Sequence, residues 1–295
     1  MGSTSKNLLN FVYGIIFVMF WSSASSATKI GLKAVQPLVL SIPRFILATA
    51  IMLGISHFIM RQPLPKGKAV WIKIATYGFL NVGLYLGLYV WAMQHVSAGL
   101  GSLFIAINPV LIMLISTLYF RQPLRLVTVL SFALCMSGML IAAYPLLGGS
   151  YASPQGLLLL LLCNISYSAG AIYFSRQNWE GLHILTINGW QTMFGCLLLL
   201  PFAVLLYQPN ANQFTLSFFG AVIWLAIPAS IVASLLWMSL LKDNPTKASA
   251  WLFLCPVAGF AIASMLMKEP LTLYTLAGVI LVIIGLYTVQ RAKTR

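Results

Sequence analysis

Ser102-Leu-Phe-Ile-Ala-Ile-Asn-Pro109-Val110 returns 147 residues later as Ser249-Ala-Trp-Leu-Phe-Leu-Cys-Pro256-Val257. In both copies a serine opens an apolar run, a proline follows seven residues on, and a valine comes next. The turns beyond them also agree, Gln122-Pro-Leu against Glu269-Pro-Leu. At the same offset Leu126 meets Leu273, Thr128 meets Thr275, Leu134 meets Leu281 and Gly138 meets Gly285. Upstream, Leu88 meets Leu235 and Lys29 meets Arg176. Leucine matches arise by chance in an apolar chain, so the Ser, Pro, Thr and Gly coincidences carry the repeat. They divide the chain into halves 1–147 and 148–295.

Outward from these stretches the chain stays apolar. Of 295 residues, 60% are hydrophobic and only 7% charged, where a soluble domain carries about 25% charged residues. Mean hydropathy is +0.95. Such a chain cannot clothe a water-exposed surface, which excludes a soluble enzyme and a disordered segment. A membrane helix needs about 20 mostly apolar residues. Ten stretches meet that rule: 8–28, 37–60, 69–93, 98–120, 126–145, 154–174, 183–207, 214–241, 248–267 and 273–289. The expected fold class is therefore an all-α membrane protein of ten transmembrane helices, as two five-helix repeats. Lys6, an apolar stretch and Ser23-Ala-Ser-Ser-Ala27 resemble a cleavable signal. The repeat gives this span an internal equivalent, so it reads as a retained helix.

The net charge of +14 comes from 17 Lys and Arg against Glu180, Asp243 and Glu269. With ten spans, Lys29, Lys33, Lys268 and Arg44 fall on one side. The remaining Lys and Arg, from Lys6 to Arg295, fall on the side of the termini. That asymmetry is what the positive-inside rule expects of cytoplasmic loops. The basic excess thus orients the chain with both termini in the cytoplasm, and it gives no reason to expect nucleic acid as a partner. Short loops suit a bacterial inner membrane.

Five helices per half is an odd number, so the second half enters the membrane in the opposite sense. Inverted repeats give carriers two nearly equivalent states that open alternately to either side of a site between the halves. The same residues carry a resemblance. Trp21-Ser-Ser, Arg44-Phe45, Leu88-Tyr-Val-Trp-Ala-Met, Ser97-Ala-Gly-Leu and the Pro109 and Pro256 helices with their Pro-Leu turns resemble the EamA-type branch of the drug/metabolite transporter superfamily. The resemblance spans roughly residues 8–290. It departs from the family pattern where Gln122 stands in place of the usual glutamate. What it implies is metabolite transport, often export of amino acids or related compounds, through a cavity lined by helices 1, 3, 4, 6, 8 and 9. A passive channel, or a lipid or multidrug translocator of the same fold, is the rival expectation.

Polar side chains within spans either pack helices or line a path, and both readings stand for each. Trp21 and Ser25 in the first span are candidates for substrate contact, while Ser22, Ser23 and Ser26 read as close-packing positions. Asn81, Tyr85 and Tyr89 recur every four residues and form one stripe on the third span, with Gly83 and Gly87 off it as a packing surface. Ser102 and Asn108 in the fourth span, Asn164 and Tyr167 in the sixth, and Trp251 in the ninth complete the substrate-binding set. Pro109 and Pro256 remove backbone donors in mid-span and are expected to gate by bending, freeing the carbonyls of Ile105 and Leu252. Arg44 has three readings: it snorkels outward, pairs with Glu269, or attracts a substrate carboxylate.

The four cysteines lack Cys-x-x-Cys spacing and read as buried hydrophobes. No metal or cofactor is expected, because the three histidines sit near helix ends without ligand partners. No acid lies within a span, so a carboxylate proton relay is not expected. There is no nucleotide-binding loop and no mid-depth catalytic constellation. The expected partners are a small-molecule substrate and the lipid bilayer, with the chain acting as a monomer or homodimer.

Overall fold

A computed structural model describes residues 3–121, 123, 125–147, 151–243, 248 and 251–293. Ser249, Gln122 and Leu124 of the repeat, and residues 148–150 where the second half is expected to begin, lie outside them. The described residues are helical, and their one β-type contact is an isolated bridge between Val96 and Ala152.

The first half comprises α1 (Ser3–Leu32), α2 (Pro37–Ile59), α3 (Lys68–Ala92), α4 (Ala98–Ala106), α5 (Asn108–Tyr119) and α6 (Leu126–Ala143). The second comprises α7 (Pro154–Arg176), α8 (Ile184–Leu205), α9 (Leu216–Leu240), α10 (Leu254–Met267) and α11 (Leu273–Lys293). Local chemistry sets the starts. Pro37 and Pro154 occupy first-turn positions, where a missing N–H costs nothing. Ser97, Ser153 and Thr215 are N-caps whose hydroxyls accept from Leu100, Gly156 and Phe218. Arg121 and Lys268, equivalent by the offset, both end helices at positive φ, 51° and 55°.

Seven helices are long and apolar enough to cross a membrane. α4 and α5 are separated at Ile107 by a 42° bend and together make an eighth candidate, while α10 and the described apolar part of α11 are shorter. Expected ten-span counting and observed helix lengths part company at the proline breaks. Pro109 does not kink a continuous span; it lies in the first turn of α5, after the chain has already broken. The outer surface is studded with exposed Leu, Ile, Phe and Val, such as Phe11, Ile15, Ile46 and Leu197, a belt suited to lipid.

The halves pack on each other through α6 with α11, α2 with α8, α1 with α9 and α10, and α7 with α3 and α5. The α6–α11 contact is reciprocal. A Cβ on Gly138 would lie 2.6 Å from the Gly278 carbonyl oxygen, and one on Gly285 would lie 2.9 Å from that of Ser131. Shifting the first pair by 147 residues yields the second. Cys135, at the same seam, faces the Val282 carbonyl at 3.7 Å, and these two positions are also 147 apart. Glycines here let two backbones approach to a distance no side chain permits.

Candidate functional site

Three tyrosines form the polar heart of the helix bundle. Tyr85 and Tyr89 come from α3 and Tyr167 from α7. The Tyr85 ring lies 5.0 Å from that of Tyr167 and 6.1 Å from that of Tyr89. The Tyr89 hydroxyl is 2.8 Å from Ser25 Oγ of α1. One turn before Tyr167, Asn164 donates to the Leu160 carbonyl at 2.6 Å and leaves its Oδ1 buried without a partner. Asn108 Oδ1 is in the same condition. Ser25, Tyr85, Tyr167 and Asn164 of the expected set thus belong to one neighbourhood.

Residues Phe79–Leu86 of α3 form a π-helical segment. Asn81 in it donates to Gln191 Oε1 of α8 at 3.2 Å and lies beside Gly170 of α7, while Tyr85 meets Tyr167 of α7 and Tyr89 meets Ser25 of α1. Gly78 and Gly83 pack against Gln191 and Leu198 of α8, as a packing surface should.

α9 has a matching π segment, Leu225–Val232, and Pro228 within it has no N–H to give to an α-helical ladder. Ser230 in this segment donates to the Leu225 carbonyl at 2.7 Å and accepts from Arg44 Nη2 at 3.1 Å. Arg44 Nε is buried without a partner. Arg44 neither pairs with Glu269 nor snorkels to the outer end; it points at α9. Ser230 was not among the expected site residues, because a serine two places beyond a proline has no pattern that marks it as an arginine's partner.

Trp21 and Trp251 lie elsewhere. They join Phe17, Val18 and Trp237 in an apolar cluster where α1 meets α9 and α10. Trp251 covers Gly14 and meets Phe11 edge-on at 5.6 Å; Trp237 stacks on Phe17 at 5.1 Å. Ser102 is engaged as well. Its hydroxyl and that of Ser22 donate to one acceptor, the Cys255 carbonyl, at 3.4 and 3.0 Å. The carbonyl that the proline helix offers is thus the one just before Pro256, and side chains of this chain already use it. All four cysteines are buried and unpaired in disulfides.

At one end of the bundle two charges grip the α3–α4 loop. Glu269 is 6% exposed, and its two oxygens accept from the N–H groups of Ala98 at 2.6 Å and Gly99 at 3.0 Å. With Ser97 capping Leu100, the first three N–H groups of α4 are satisfied. Lys29 Nζ donates to the carbonyls of Met93 at 2.8 Å and Val96 at 2.6 Å. The His95 carbonyl accepts from Ser153 N–H at 3.0 Å. The sequence contained a signal for this: Ser97-Ala-Gly-Leu reads as a helix start, and a carboxylate stabilises such an end. What it lacked was any way to bring position 269 to it. A cavity of about 340 Å³ between α2 and α8, lined by Leu38, Ile42, Leu200 and Tyr207, is apolar and separate from these polar groups.

The profile of the EamA-like transporter family matches residues 9–144 and again residues 154–290. The chain belongs to this family. Among its relatives is a probable amino-acid metabolite efflux pump of Salmonella typhimurium, 26% identical over 92% of each chain. Protein PecM of Dickeya dadantii is 27% identical over 92% of this chain and 88% of its own. An uncharacterized transporter of Archaeoglobus fulgidus is 26% identical over 94% and 96%. A protein of known crystal structure shares the fold at a TM-score of 0.66 and 18% identity, covering 97% of this chain and 98% of its own. Apolar helices and family together make this an integral membrane transporter, and not an enzyme.

Proposed function

We propose that the chain is a secondary or facilitative carrier that moves a small organic metabolite, an amino acid or related solute, out of the cytoplasm by alternating access. Its ten helices form two five-helix halves, 1–147 and 148–295, of opposite membrane sense. The bent α4–α5 pair counts as one span, α10 as another, and α11 as the last. The observation that carries this reading is the reciprocal contact of α6 and α11, Gly138 on the Gly278 carbonyl and Gly285 on that of Ser131. Contacts exchanged under a constant sequence shift are what two halves related by a two-fold axis make, and an axis in the membrane plane gives the two mirror-like states of a carrier. The efflux pump among the relatives supports the direction and the solute class. The distribution of Lys and Arg supports cytoplasmic termini in a bacterial inner membrane.

The test places single cysteines at Asn81 and Tyr85 in a chain whose own four are replaced, and applies impermeant thiol reagents to either face of proteoliposomes. Reaction from one face at a time, with the face changing on addition of substrate, is the expected result. Simultaneous reaction from both faces would establish a channel. Lipid scrambling without movement of any amino acid, sugar or cationic drug would establish a lipid translocator instead.

A further inference from the structure

We propose that Arg44 receives a carboxylate of the transported solute, at a site flanked by Tyr85, Tyr89 and Ser230; this rests on the carrier reading above. Arg44 lies seven residues past Pro37, about 10 Å into the bundle along α2. A guanidinium offers five N–H donors and stays charged in proteins. Here Nη2 is given to Ser230, and Nε is buried with no acceptor. The Cζ atom sits 5.4 Å from the Phe45 ring centroid.

The chain has only three acids with which to balance this charge. Both oxygens of Glu269 are taken by Ala98 and Gly99. Glu180 is exposed in the turn after α7. Asp243 lies thirteen residues beyond Ser230 on the continuation of α9, about 20 Å along the helix. A half-buried cation with no carboxylate bonded to it is unfavourable within a membrane unless something else supplies the anion, and such residues mark substrate paths.

The surroundings fit an organic anion. The π segment of α9 holds Ser230, the partner of Arg44, and the π segment at the corresponding place in the first half holds Tyr85, within electrostatic range of the guanidinium, as is Tyr89 in the next turn. π-Helical turns are frequent at functional sites. The planar fork of arginine matches a carboxylate with two parallel hydrogen bonds. Beyond Tyr85, across its contact with Tyr167, Asn164 Oδ1 waits as a buried acceptor for an N–H or O–H of the same molecule.

The experiment measures melting shifts of the purified full chain, and counterflow in proteoliposomes, with the proteinogenic amino acids and their carboxamides. The wild type is expected to bind at least one amino acid and to discriminate against its carboxamide. Arg44→Gln should raise the apparent Kd for that amino acid by roughly 10- to 100-fold, the worth of charged hydrogen bonds, and leave the carboxamide unchanged. Arg44→Lys, which keeps the charge without the fork, should fall between, and decides the matter if the glutamine variant is not monodisperse. Equal binding of acid and amide, an undiminished preference in Arg44→Gln, wild-type affinity in Arg44→Lys, or binding of no amino acid would each overturn the proposal. Arg44-dependent binding without counterflow would overturn the carrier reading alone; equal transport of acid and amide would overturn only the role of Arg44.

Discussion

Replacing Glu269 by alanine would leave the N–H groups of Ala98 and Gly99 buried and unanswered at the start of α4. Each now donates to a carboxylate oxygen, at 2.6 and 3.0 Å. A hydrogen bond to a charged group contributes about 1.5–3 kcal/mol, and the helix N-terminus adds about 0.3–1 kcal/mol for the negative charge. These bonds also join the α10–α11 turn of one half to the α3–α4 loop of the other, so little else at that point replaces them. The loss for Glu269→Ala should be about 3–5 kcal/mol. Glu269→Gln keeps one acceptor but turns an amide donor toward the other N–H, for a loss of about 2–3 kcal/mol. The four buried cysteines suit the assay, since a thiol-reactive fluorophore reports their exposure on unfolding. At one scan rate, and at about 2–4 °C per kcal/mol for a chain of this order, alanine should lower the apparent Tm by roughly 6–20 °C and glutamine by about half as much. A conservative Glu269→Asp, one methylene short, should fall between wild type and glutamine. Apparent Tm values for alanine and glutamine within about 2 °C of wild type would refute the clasp.

Close approaches between helices make two further predictions. Gly138→Ala and Gly285→Ala should each cost about 1–3 kcal/mol through overpacking, whereas Gly220→Ala, with nothing within 4 Å, should be neutral or stabilising by up to about 1 kcal/mol in the same melting assay. Equal effects at all three would remove the reciprocal contact. Gly259→Ala drives a methyl into Ser102, so Ser102→Gly should recover most of the roughly 1–3 kcal/mol lost; a purely additive double mutant would show that the two do not touch.

Much of the fold was legible because its determinants are local. Apolar runs of about 20 residues, caps such as Ser97 and Ser153, and the prolines at 37 and 154 fix where helices lie. The repeat was legible because Gly138 and Gly285 survive in both halves under the same steric demand. The site was legible in composition but not in geometry. Nothing in the spacing of Asn81, Tyr85 and Tyr89 reveals the π segment in which two of them lie, or that Asn81 bonds to Gln191 of α8. The depth of Trp21 and Trp251 is readable and their neighbours are not; Gly14, which Trp251 covers, lies 237 residues away in sequence. Arg44–Ser230 and Glu269–Ala98 are likewise tertiary pairings, and charge scarcity alone says only that each charge must have a purpose.

That scarcity also constrains the energy source. A proton-coupled carrier needs a group that takes up a proton on one side and releases it on the other, in a place substrate or gate can sense. Glu180 is exposed in a loop, Asp243 lies thirteen residues beyond Ser230 along the helix, and Glu269, though buried, has both oxygens committed to backbone N–H groups. Both of those bonds use the carboxylate as an acceptor, so holding that end together and carrying a proton would compete for the same oxygens. In proteoliposomes, solute counterflow should therefore proceed without any gradient, and an imposed pH gradient should not drive accumulation above equilibrium. Gradient-driven accumulation that vanishes in Glu269→Gln would make this carboxylate the proton site and the clasp its gate. Accumulation that survives Glu269→Gln would place coupling on hydroxyls and carbonyls around the tyrosines, and would refute the claim that the acids of this chain decide how it is powered.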